Sequence, residues 1–103
     1  MKRGEVWWVS REDAPSRPYL IMSRDPVIPV INKILAVPIT SRRRPIATQV
    51  PLDRDDGMRT ECAATFDNLE LVAKHRFVER LTELGPVKML MACRALAIAT
   101  GCD

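Results

Sequence analysis

The chain has 103 residues, 47% of them apolar, which suits one domain spanning residues 1–103 with a single modest core. Sixteen Lys and Arg against thirteen Asp and Glu leave a net charge of +3, a surplus that hints at a polyanionic partner without requiring one. Three cysteines, Cys62, Cys93 and Cys102, have no spacing typical of a zinc site, their odd number argues against a disulfide framework, and buried thiols in a reducing cytoplasm are expected. Lys33 and Arg94 interrupt the two longest apolar runs, neither of which approaches the roughly 20 residues of a membrane span. An acid at Glu5 and the lack of an apolar h-region speak against a signal peptide.

Glu5 to Val9 is rich in β-formers and predicts a strand, with Val6 and Trp8 on one face and Glu5, Trp7 and Val9 on the other. One tryptophan is expected in the core; the other is placed to stack a base or meet another subunit. Ser10 to Ser16 reads as a polar loop. Arg17 to Ser23 predicts the next strand, with Pro18 at its first position because proline cannot donate to a ladder. Arg24 to Pro29 is a proline-rich turn. Val30 to Thr40 predicts a central strand, since a continuous aliphatic run marks burial on both faces. Ile46 to Leu52 alternates apolar and polar residues, which predicts a half-buried strand in a hairpin with its predecessor.

Asp53 to Gly57 is a loop by composition. Short strands are expected at Glu61 to Phe66 and Leu69 to Val72, a helical turn at Lys74 to Arg76, and a last strand at Phe77 to Leu84. Gly85-Pro86 opens a helix, because proline suits the first helical position, and Gly101 closes it. Val87, Leu90, Met91, Leu96 and Ile98 spread around that helix, so more than one of its sides should be covered.

The central strand delivers Thr40-Ser41-Arg42-Arg43-Arg44 to its own end. Arginine offers a fork of N–H donors and the hydroxyls can orient one oxygen, a set that suits a phosphate. A basic run at a strand end also serves as plain solvated surface.

In chain order, Arg3-Gly4-Glu5-Val6-Trp7-Trp8-Val9, then Arg17-Pro18 with Leu20-Ile21-Met22-Ser23-Arg24-Asp25, Val37-Pro38-Ile39-Thr40-Ser41, Asp67-Asn68-Leu69 and the Pro86-started helix together resemble the MazF/PemK toxins. These are endoribonucleases of bacterial type II toxin–antitoxin systems. The resemblance implies a mainly β fold with helices (α+β), an SH3-like small β-barrel carrying a C-terminal helix. It implies a cytoplasmic homodimer that cleaves single-stranded RNA without cofactor or metal, and a MazE-like antitoxin partner. It carries catalytic roles onto Arg17 and Thr40, and RNA contact onto Ser16, Ser41, Arg42, Arg43, Arg44, Gln49 and Asn68. The alternative on the same barrel is a non-catalytic toxin resembling the CcdB family, which poisons DNA gyrase. That family relies on a C-terminal aromatic tail, whereas this chain reads Thr100-Gly101-Cys102-Asp103.

RNA brings its own nucleophile, the ribose 2′-hydroxyl. Arg17 suits charge stabilisation and, second, proton donation to the leaving oxygen; as a base it is unsuited, since arginine stays protonated. The general base is unassigned. His75, the lone histidine, has the side chain best tuned to neutral pH, but no motif ties it to the site.

Overall fold

The structure, a computed structural model, describes all 103 residues. Seven strands precede one helix: β1 (Glu5–Arg11), β2 (Ala14–Ile21), β3 (Lys33–Thr40), β4 (Gln49–Leu52), β5 (Cys62–Thr65), β6 (Glu70–Ala73), β7 (Phe77–Glu83) and α1 (Pro86–Thr100). All pairings are antiparallel, in the order β4-β5-β3-β2-β1-β7, with β6 also on β3.

β3 is the hub. It pairs with β2 on one side, and on the other with β6 over residues 33–36 and then with β5 at Ile39 and Thr40. Pro38 falls where the partner changes, a position at which a missing N–H interrupts no ladder on that side. The strand is buried on both faces, as its aliphatic run predicts. Val37 and Ile39 join one cluster with Val6, Leu20, Phe66 and the helix residues Ala92 and Ala95. Ile34 and Ala36 join a second with Val9, Tyr19, Ile21 and Phe77. Successive strand residues therefore feed opposite cores, and each fully buried aliphatic side chain contributes about 1.5–3 kcal/mol.

Several sequence expectations change. Ser10 to Ser16 is no loop: β1 runs to Arg11 and β2 starts at Ala14, so a tight hairpin turns at Glu12-Asp13. Pro18 consequently lies inside β2, opposite Trp8; β3 joins β2 only from Tyr19 onward, so Pro18 has a single neighbouring strand. Val30 to Asn32 precedes β3 as a turn, with Val30 78% exposed. Ile46 to Thr48 is also turn, and β4 pairs with β5 rather than with β3. Of the cysteines, only Cys62 is buried, and burial pushes its thiol up; Cys93 and Cys102 are exposed. Neither tryptophan is fully buried: Trp7 packs on the second core and Trp8 lines a cavity.

The segment after β4 is held by its own polar groups. Asp53 accepts from the backbone N–H of Asp55, and Asp56 accepts from the backbone N–H of Asp53 at 2.9 Å. Gly57 closes this turn at φ +91°, and a Cβ there would stand 2.2 Å from Thr82 Oγ1 on β7, so only glycine fits. The start of β1 is pinned by Glu5, 6% exposed. Burial alone would raise its carboxyl, but bonds from Arg80 Nε (2.7 Å), Trp7 Nε1 (3.1 Å) and the backbone N–H of Lys2 (2.8 Å) outweigh it and hold the group below the usual carboxylate range.

α1 ends on Gly101 in the left-handed conformation, whose N–H bonds back to the last turn. Only the small residues Ala92 and Ala95 are buried on it, while Val87, Leu90, Met91 and Ile98 remain 71%, 55%, 36% and 39% exposed.

Candidate active site

Two sequence features bring Arg17 and Thr40 together. In the β2–β3 register Tyr19 faces Pro38; continued two residues along each strand, it sets Arg17 against Thr40. The ladder stops short of that pair, and Pro18 has no N–H with which to extend it. The strands part there, and a cavity of about 310 Å³ opens between Arg17, Thr40, Arg42, Arg44, Ile46, Gln49, Thr65, Asp67 and Asn68.

The loop after β3 is shaped from within. Thr40 Oγ1 accepts the backbone N–H of Arg42 at 3.1 Å, which leaves the hydroxyl proton free to donate outward. Gln49 Oε1 accepts the backbone N–H of Arg44 at 2.7 Å, and its Nε2 donates to Arg42 O at 3.4 Å. Gln49 thus holds the arginine loop. Thr48 Oγ1 donates to Asp67 Oδ2 at 2.7 Å, fixing the one carboxylate on the cavity wall.

The arginine run after β3 divides between two environments. Arg42 and Arg44 line the cavity. Arg43 turns away: its Nε donates to Cys62 O at 3.0 Å, Nη2 to Leu52 O at 2.6 Å, and Nη1 pairs with Glu61 at 3.2 Å. Unlike its neighbours, Arg43 lies off this cavity wall and clips the β4–β5 end. The side chains of Arg17, Arg42 and Arg44 have no ion pair or hydrogen bond. Of the other expected contacts, Asn68 lines this cavity, Ser41 lines the neighbouring one, and Ser16 is exposed on β2 outside both. His75 is exposed on the turn between β6 and β7 and lies off the cavity wall. Thr65, Asp67 and Ile46 complete the wall unannounced by the sequence; Asp67 was within reach, as it precedes Asn68 in the same short motif.

Clustered positive charge and a donor hydroxyl are the chemistry that suits an anionic ligand such as a phosphate. Comparison with known proteins agrees in fold and family. A family model described as PemK-like, MazF-like toxin of type II toxin-antitoxin system matches residues 2–100. A probable endoribonuclease MazF2 of Mycobacterium tuberculosis is 32% identical over 103 residues, 99% of this chain and 100% of that one. A probable endoribonuclease MazF5 of the same species is 35% identical over 102 residues, 98% and 94% of the two chains. A mycobacterial endoribonuclease solved in complex with its cognate antitoxin superimposes with a TM-score of 0.89 at 28% identity, covering 100% of this chain and 97% of that one. These relatives do not favour the CcdB-like alternative. The chain belongs to the PemK/MazF-like toxin family of type II toxin–antitoxin systems.

Proposed function

We propose that this chain is the toxin of a type II pair and cleaves single-stranded RNA through the ribose 2′-hydroxyl, without a metal. The observation that carries the reading is the cavity lined by Thr40 together with the three unpartnered arginines Arg17, Arg42 and Arg44, in a chain of this family. The 2′-hydroxyl gives up its proton to water as its oxygen attacks phosphorus, the P–O5′ bond breaks, the departing O5′ takes up a proton, and the products are a 2′,3′-cyclic phosphate and a free 5′-hydroxyl. Arg17 balances the charge that builds on the phosphorane and protonates the departing 5′-oxygen. Thr40 donates its hydroxyl to a non-bridging oxygen. Arg42 and Arg44 follow the flanking phosphates, which makes binding fall with salt.

The test is purified protein with a long single-stranded RNA in EDTA. Cleavage with cyclic-phosphate ends is expected; activity that disappears in EDTA and returns with magnesium would overturn the metal-free route.

The exposed apolar stripe Val87, Leu90, Met91 and Ile98 on α1 supports a homodimer, since monomers rarely leave such a face in water. Sedimentation equilibrium at micromolar concentration should give a dimer, and a single species at 11.6 kDa would contradict it. An acidic, disordered antitoxin tail suits the basic cavity and would compete with RNA there. No helix is long and apolar enough to cross a membrane, and the reading places the protein with its RNA in the cytoplasm.

A further inference from the structure

Thr40 belongs to two cavities. One is the polar cavity with Arg17; the other, also about 310 Å³, lies beyond Thr40 and Pro18 and is walled by Trp8, Met58 and Leu81. Ser41, Arg59 and Thr60 contribute its polar lining. We propose that this second cavity is a subsite for one unstacked base of the RNA, next to the cleaved phosphate, with Trp8 as its stacking wall. The proposal rests on the RNA-cleaving reading of the polar cavity.

Four observations carry it. First, position: Pro18 follows Arg17 directly and Thr40 is shared, so a phosphate held by Arg17 and Thr40 has one of its nucleosides at the mouth of the second cavity. Second, size: the volume sits at the low end of the ~300–1,000 Å³ range of small-molecule sites, enough for one planar ring and too little for two stacked ones. Third, an unused donor: Trp7 Nε1 donates to Glu5, whereas Trp8 Nε1 has no partner in the protein and is not a buried orphan. Fourth, rigidity: Asp53 and Asp56 cap the turn that ends at Gly57, and Gly57 abuts Thr82, so the wall carrying Met58 is fixed before any ligand arrives.

Single-stranded RNA is read by splaying bases out and stacking them on aromatic side chains, and Trp8 lines a cavity that shares Thr40 with the polar one. Donors dominate the polar lining: Arg59 can only donate, and Ser41 and Thr60 can do either. The base held there should therefore present acceptors, as guanine and uracil do through their carbonyl oxygens.

The test uses the whole chain carrying Trp7→Phe, so that Trp8 is the only indole. The ligand is an oligonucleotide covering a mapped cleavage sequence, with a 2′-deoxy sugar at the cleaved position. Binding should quench Trp8 emission. Removing the base on one side of the cleaved phosphate should abolish the quench and weaken binding roughly 10- to 100-fold, while the same removal on the other side leaves the quench in place. Trp8→Ala should weaken binding of intact RNA by a similar factor and be insensitive to that base removal; Trp8→Phe should retain most of the affinity. A quench unaffected by base removal on either side, or losses from Trp8→Ala and base removal that simply multiply, would overturn the subsite. If wild-type protein cleaves intact RNA in the same assay, that failure is confined to the subsite; if it cleaves none, both readings fall.

Discussion

Arg43 and its two neighbours show how one residue type does opposite work a few ångströms apart. Each of the three guanidinium nitrogens of Arg43 is engaged, on Cys62 O, Leu52 O and Glu61. Arg76 similarly donates to Ser10 O, Arg11 to Pro15 O, and Arg80 to Glu5. These side chains close strand ends and rims. Arg42 and Arg44 instead join Arg17 with no partner, and their mutual repulsion is a local cost that the fold carries. Arg24, Arg59 and Arg94 also lack partners, but they are not gathered together: Arg59 stands alone on the second cavity, and Arg24 and Arg94 line neither. A place where a sequence forgoes easy pairing is where function is expected, and here three unpaired charges and one hydroxyl line the same cavity.

The comparison breaks most sharply at Arg17. Arg17→Ala should lower the cleavage rate by about 10²–10³-fold, the usual scale for removing a preorganised charge-stabilising donor. Its urea midpoint should stay put, because the side chain supports no other group. Arg17→Lys should recover little, since a point charge does not reproduce the planar fork. Thr40→Ala should lose less, about tenfold, and Thr40→Ser should keep part of the rate. Single-turnover cleavage alongside urea unfolding checks all four variants; an Arg17→Ala protein with near wild-type rate would remove Arg17 from the chemistry.

Much of this division was legible. Arg17-Pro18 and Pro38-Ile39-Thr40 name the pair, and their meeting follows from the family resemblance before any coordinates. The split among Arg42, Arg43 and Arg44 was not legible, because it depends on where the carbonyls of Cys62 and Leu52 lie, and those are set by β4 pairing with β5. That pairing was misread because adjacency in sequence favoured a β3–β4 hairpin; the strand arriving between them, β5, comes later in the chain. Ser10 to Ser16 was misread for another reason. Polar composition marks a surface, and a two-residue hairpin at the end of a long ribbon is as polar as a loop. The role of Gln49 was equally hidden, since a glutamine that holds backbone and one that reads a base look alike in one dimension. The helix was read correctly in its ends and in its surplus of apolar faces, because capping residues and 3.6-residue spacing are local properties.

Arg43 supplies the complementary experiment, with a smaller effect in a different observable. Its guanidinium bonds two main-chain carbonyls on residues that face each other across β4 and β5, Leu52 and Cys62. Removing it leaves both carbonyls without that donor and frees the end of a two-strand ladder. Charge-assisted bonds of this kind are worth more than neutral ones, but the side chain is 37% exposed and water can replace part of the loss. Arg43→Ala should therefore cost about 1–2 kcal/mol, or a melting temperature lower by roughly 5–10 °C in a domain of this size. The cleavage rate at 25 °C and the salt dependence of RNA binding should stay within about twofold of wild type, since the charge it removes faces away from the cavity. Arg42→Ala should do the reverse, leaving the melting temperature unchanged while reducing the slope of log K against log salt by about 0.7. If Arg43→Ala flattened that slope as Arg42→Ala does and left the melting temperature alone, then the engaged arginine would be an RNA contact after all, and the line between holding the fold and holding the substrate would have to be redrawn around the whole run.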